Sequence, residues 1–210
     1  MAAEPDPLVI EPPTPRAALV LGHGAGSPAA SPFLAGFCRA IGELGVATQR
    51  FDFPYMAAGR RAPDRPPVLI AAWQAAFARA AERWPAMPLF AGGRSMGGRI
   101  ASMAAAEGMP AAGLVFLAYP LHPPGRPEKL RDAHLYGLSQ PMLFVQGTRD
   151  AFAQPALLAA VLERLGDRAQ LISIEGADHG FRRAGGPRDA ATLGAELASP
   201  AARFIERFPV

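Results

Sequence analysis

At 210 residues, half of them hydrophobic, the chain carries enough apolar material for one sizeable domain with a buried core, and no second domain is expected. Net charge is +3, and the 21 basic residues include one lysine, Lys129, with the arginines scattered rather than blocked, which argues against a nucleic-acid partner. The single cysteine, Cys38, excludes an intrachain disulfide, and no apolar stretch approaches the roughly 18 residues a membrane span requires. The opening MAAEPDPLVIEPPTPR has acids and prolines where a secretory leader has a basic patch and an apolar run, so a cytoplasmic location is expected. These 16 residues read as an N-terminal extension or edge strand, and residues 17–210 as the single domain.

Along the chain, short runs rich in Val, Leu, Ile and Phe alternate with longer segments of helical period, the pattern of a mostly parallel sheet flanked by helices on both faces. The strand candidates are Ala17 to Leu21, Val46 to Phe51, Pro88 to Ala91, Gly113 to Ala118, Met142 to Gln146 and Ala169 to Ile174. Ser31-Pro32 reads as an N-cap followed by proline at the first helical position, opening a helix to about Leu44. Leu69, Ala72, Trp73, Ala76 and Ala80, and later Leu157, Leu158, Val161, Leu162 and Leu165, follow helical spacing. Leu193, Leu197, Ala201, Phe204 and Phe208 form a last apolar stripe, with Pro200 expected to kink or restart it. Two proline-rich segments, Asp52 to Pro67 and Tyr119 to Gln140, follow strand ends, where open α/β sheets hold their ligands.

Two glycine clusters carry the chemistry. A phosphate loop is excluded because neither cluster holds the required lysine. A dinucleotide fingerprint fails at Gly22-His23-Gly24-Ala25-Gly26-Ser27-Pro28, with serine in place of the third glycine and a proline where the helix needs free N–H groups. The other cluster, Gly93-Arg94-Ser95-Met96-Gly97, is G-x-S-x-G between a strand and a helix, a turn that strains the serine and lifts its hydroxyl out of the sheet. A serine hydroxyl needs a base to take its proton and an acid to orient that base. In chain order, Asp150 follows the strand Met142 to Gln146, and His179 follows Ala169 to Ile174, so Ser95, Asp150 and His179 are the candidate triad. Of the other histidines, His122 and His134 lie in the irregular segment, and His23 is expected to fix the glycine turn by hydrogen bonding. Asp178, adjacent to His179, is a weaker candidate for the orienting acid. The N–H groups of Met96 and Ala25 are the candidate oxyanion hole. Tyr55, Arg94, Tyr119, Phe152 and Phe181 are candidate substrate-binding residues, with Arg94 weighed between a substrate carboxylate and a local salt bridge.

Through LGHGAG, GGRSMGGR, QGTRD and GADHGF the chain resembles the α/β-hydrolase superfamily over roughly residues 17–208. Within it, FPY, GRRAPDR and YPLHPPGRPEKLRDAH are similar to the small lidless hydrolases near dienelactone hydrolase, a branch with testis-expressed and chromatin-complex-subunit hydrolase-like members. The resemblance implies an eight-stranded sheet trimmed at its N-terminal edge, no large cap domain, and hydrolysis of an ester-like bond through an acyl-serine. Dienelactone hydrolases proper use a cysteine nucleophile where this chain has Ser95, so their substrate is not carried over. The expected activity is carboxylesterase-like, on a carboxylester, thioester or lactone of a small acyl substrate, in a monomer or homodimer without cofactor or metal. The rival class is an interaction module that keeps the hydrolase fold without turnover.

Overall fold

A computed structural model describes residues 8–186 and 189–208. Its seven strands lie in one sheet, in the order β1-β3-β2-β4-β5-β6-β7. The strands are β1 (Val9–Ile10), β2 (Ala17–Gly22), β3 (Val46–Phe51), β4 (Leu89–Arg94), β5 (Gly113–Leu117), β6 (Met142–Gly147) and β7 (Ala169–Ile174). All neighbours run parallel except β1, which pairs antiparallel with β3 through Val9↔Gln49 and Ile10↔Thr48. Among the described residues the sheet therefore has seven strands, trimmed from eight as expected, and its first edge is a two-residue strand inside the N-terminal stretch.

The central strands are the most apolar. In β2, AALVLG is buried along its whole length, as expected of a strand covered on both faces. At the far edge, β7 alternates between half-buried and exposed positions because it has one neighbour only. The polar β3, VATQRF, is buried as well; Gln49 donates to the Ala76 carbonyl and Arg50 to the Ala29 carbonyl. One face of the sheet carries α1 (Pro32–Glu43), α6 (Ala190–Glu196) and α7 (Ala198–Ile205). The other carries α2 (Pro54–Ala57), α3 (Pro66–Arg83), α4 (Met96–Ala106) and α5 (Pro155–Leu165). Cys38 is fully buried in the first of these layers, where desolvation pushes its thiol up to about 11 and leaves it unreactive.

Three local expectations need correction. Ser31 occupies the N-cap of α1 but makes no side-chain cap bond, so the helix start rests on Pro32. The C-terminal stripe breaks at Leu197, between α6 and α7, whereas Pro200 sits in the first turn of α7, where its missing N–H has no intrahelical partner to lose. The segment after β3 is not wholly irregular, because PYMA forms the one-turn α2.

Chain order reverses direction beside β2, with β3 on one side and β4 on the other, and this places the C-terminal ends of β2 and β4 together at the crevice that binds ligands in open α/β sheets. Between β5 and β6 there is room only for a short wall containing one 3-10 turn, Ala133–Gly137. No described helix is long and apolar enough to cross a membrane.

Candidate active site

The strand β4 runs three residues beyond its apolar core, through Gly92 and Gly93 to Arg94, before Ser95 turns the chain into α4. Ser95 has φ 49° and ψ −116°, a conformation that costs a non-glycine residue on the order of 1–3 kcal/mol and that the surrounding packing must hold. Its N–H donates to the Leu117 carbonyl of β5 at 2.9 Å, which anchors the turn to the sheet. The glycines serve the neighbouring strand as much as the serine. A Cβ on Gly93 or on Gly97 would lie 2.1 Å from the Gly22 carbonyl oxygen, so β2 can approach the turn only where both side chains are missing. Gly93 also has φ +140°, outside the range L side chains readily adopt.

The three triad candidates, separate in sequence, form one hydrogen-bonded line. His179 Nε2 lies 2.9 Å from Ser95 Oγ, and His179 Nδ1 lies 2.8 Å from Asp150 Oδ2. Since a carboxylate can only accept, Nδ1 carries the proton and Nε2 is left facing the serine hydroxyl. Asp150 is buried, with its other oxygen accepting the Phe152 N–H at 2.8 Å. Asp178, the weaker acid candidate, has another task. Its Oδ1 accepts the N–H groups of Gly180 and Arg182, fixing the loop that carries His179.

Sequence reasoning missed three supporting residues. Gln146, buried at the end of β6, donates through Nε2 to Asp150 Oδ2 at 2.6 Å, the same oxygen that receives His179. The signal was present, because a polar residue closing the apolar run MLFV has to find a partner. His122, in the segment read as irregular, is buried: its Nε2 accepts the Gln154 N–H while Nδ1–H donates to the Pro123 carbonyl, and its own N–H donates to the Phe152 carbonyl. It thus clamps the loop that follows the acid. Trp73 of α3 donates Nε1–H to the Gly97 carbonyl at 3.0 Å and so holds the first turn of α4. His134, the remaining histidine, is half-buried and bonds Ser102 Oγ at 2.8 Å, away from the Ser95 line.

The loop after β2 reaches the serine from the other side. A Cβ on Gly24 would come within 3.8 Å of Ser95 Cβ. Behind the loop, His23 is fully buried, with Nε2 accepting the Phe53 N–H at 3.1 Å, so its proton sits on Nδ1 and is donated to the Gly24 carbonyl at 2.7 Å. Tyr55 donates to the Ala25 carbonyl at 2.9 Å. The two candidate oxyanion donors, the Met96 and Ala25 N–H groups, have no hydrogen-bond acceptor among the described residues.

Burial separates the candidate substrate-binding residues. Tyr55, Tyr119 and Phe181 are enclosed rather than placed on a rim: the Tyr119 hydroxyl donates to the Arg131 carbonyl, and Phe181 stacks on Phe33 with ring centroids 5.8 Å apart. Phe152 packs its ring 4.2 Å from the His179 ring, and half-buried Arg94 precedes Ser95.

Burial holds the His23 imidazole below its ordinary pKa, against the opposing influence of its Gly24 bond and Asp52. Desolvation acts in the same direction on His134. With the folded-state value depressed, the unfolded chain binds more protons once pH falls below the free-histidine value of about 6.5. Stability is therefore full above that pH and declines as pH falls toward the folded-state values. Thermal unfolding should show a falling Tm on acidification through this window, and His23→Ala should lower Tm at pH 8 while making the decline shallower.

Residues 15–206 match the family model described as an alpha/beta hydrolase domain. The chain belongs to the alpha/beta-hydrolase family. Solved structures similar to this hydrolase-family chain share its fold at low identity. An alpha-beta serine hydrolase homologue from Coxiella burnetii is 19% identical over 93% of this chain and 89% of its own, with a TM-score of 0.74. A dienelactone hydrolase from Anabaena variabilis is 21% identical over 96% and 91%, also at 0.74. A serine hydrolase without a lid from Xanthomonas campestris is 21% identical over 96% and 88%, at 0.73.

Proposed function

We propose that this chain is a serine hydrolase that cleaves an ester-like bond of a small substrate through an acyl-serine. The observation that carries the reading is the Ser95–His179–Asp150 line, at 2.9 Å and 2.8 Å, at the tip of a strained strand-to-helix turn. Ser95 Oγ attacks the acyl carbonyl as His179 Nε2 takes the hydroxyl proton, and Asp150 stabilises the imidazolium that forms. The oxygen of the tetrahedral intermediate is received by the Met96 and Ala25 N–H groups. Collapse breaks the bond to the leaving group, which departs with the proton from His179. A water then adds to the acyl-serine by the same route, its proton passing through His179 to Ser95 Oγ as the acid is released. The lidless hydrolase from Xanthomonas campestris, with the same fold and no cap, supports an open site.

The wall between β5 and β6 supports the same conclusion. Its Tyr119 and Leu121 are buried against the body, and a segment so short cannot enclose a long acyl chain. With p-nitrophenyl esters of increasing acyl length, kcat/KM should peak at short acyl groups, since each further methylene stays in water and adds no transition-state binding. A steady rise toward long-chain esters, or activation at a lipid interface, would contradict this.

A further inference from the structure

Arg94 lies next to the proposed nucleophile and has no task in the mechanism above. Its guanidinium lies over the Phe33 ring, 4.4 Å from the centroid, at the start of α1. On its other side, a Cβ on Gly180 would be 3.7 Å from Arg94 Nη2, and Gly180 follows His179 directly. The group is thus held between the element that follows the Gly24 loop and the loop that carries His179, the two segments that bracket Ser95. The sequence left a local salt bridge open for it. None forms: among the described residues Arg94 has no ion pair within 4.0 Å and no hydrogen-bond acceptor.

One carboxylate, that of Asp178, acts on Arg94 without forming a close pair with it. Burial, and then the guanidinium of Arg182, pull Arg94 below its ordinary pKa, with Asp178 opposing them. Asp178 has its Oδ1 committed to two backbone N–H groups and makes no ion pair with either arginine. A Cβ on Gly180 would be 3.2 Å from Asp178 Oδ1, 3.6 Å from Arg182 Nη1 and 3.7 Å from Arg94 Nη2, so the Asp178 carboxylate lies beside both guanidinium groups, yet no ion pair within 4.0 Å joins it to either and half-buried Arg94 has no ion-pair partner among the described residues. Stacking on Phe33 covers one face of the Arg94 plane and leaves its N–H edge, a fork that matches a carboxylate in two parallel hydrogen bonds.

We infer that Arg94 is a specificity-determining residue that binds a carboxylate of the substrate, so that the preferred substrates are small esters bearing a free carboxylate near the scissile bond. This rests on the hydrolase reading above. Arg182, exposed on the adjacent loop, adds long-range attraction that weakens with salt.

The test compares charged esters with uncharged isosteres. Monoethyl glutarate is paired with ethyl 5-methylhexanoate, placing the carboxylate on the acyl side, and O-butyrylglycolate with isobutyl butyrate, placing it on the alcohol side. For at least one pair the wild type should favour the charged ester in kcat/KM by about tenfold or more, as charge-assisted hydrogen bonds of this kind allow. Arg94→Gln should reduce that ratio about tenfold and Arg94→Lys should restore part of it, because lysine keeps the charge but not the fork. Comparing ratios between variants cancels differences in leaving-group reactivity and any general loss of activity. Equal or lower rates on both charged esters, or an Arg94→Gln variant that slows both members of a pair in proportion, would overturn the inference. Should the wild type hydrolyse the neutral esters without favouring either charged one, the carboxylate site falls and the hydrolase reading stands. If it hydrolyses none of the four and Ser95 takes no acylating probe, both fall.

Discussion

Ser95→Ala should fold as the wild type does and lose at least about 10³-fold in kcat on any ester the protein cleaves. The hydroxyl makes no helix-capping bond, and its removal loses one hydrogen bond, to His179 Nε2, which costs the structure about 0.5–1.5 kcal/mol. The expected loss is so large because Oγ is the atom that forms the acyl bond in the proposed mechanism, and among the described residues no other serine hydrogen-bonds His179 Nε2. Steady-state kinetics beside a thermal melt checks both halves of the statement. Unchanged turnover in a folded variant would remove Ser95 from the chemistry.

The second large effect is at Asp150. Its carboxylate accepts three donors, Phe152 N–H on Oδ1, and Gln146 Nε2 and His179 Nδ1–H on Oδ2. Asparagine has one acceptor oxygen and one NH2 group, so Asp150→Asn must turn a donor toward a donor on one side. If the NH2 faces His179, Nδ1 has to become the acceptor and the proton moves to Nε2, where it blocks removal of the Ser95 proton. A fall of about 10⁴-fold in kcat is expected, the scale seen when a triad acid is replaced by its amide. Because Gln146 can rotate its amide to match, the fold should survive. A variant that retains more than a tenth of wild-type kcat would show that His179 is not oriented by Asp150.

Much of the fold could be read from the chain because parallel strands buried on both faces leave continuous apolar runs, as β2, β5 and β6 do. The boundary that slipped furthest was β4, whose glycines continue the strand to Arg94 although they carry no strand propensity. Their reason is the contact with the Gly22 carbonyl, a feature of the neighbouring strand that no local pattern reveals. The candidate site was legible in its order and strand-end placement, since Ser95, Asp150 and His179 each follow a recognisable strand. Side-chain direction was not. Tyr55 and Tyr119 stand beside strand ends in sequence, yet each turns its ring into the core and satisfies its hydroxyl on a backbone carbonyl, leaving it no surface toward a ligand. The burial of His122 escaped for a similar reason: its partners, Pro123, Phe152 and Gln154, include two residues that meet it only after the chain has passed through β6.

In the proposed mechanism one histidine, His179, makes one serine, Ser95, nucleophilic. Reaction of the folded protein with a fluorophosphonate, followed by intact mass and peptide mapping, tests it most directly. A single adduct is expected on Ser95, lost in Ser95→Ala and slowed strongly in His179→Ala. Absence of any adduct on the folded wild type, or an adduct on another residue that persists in Ser95→Ala, would contradict it.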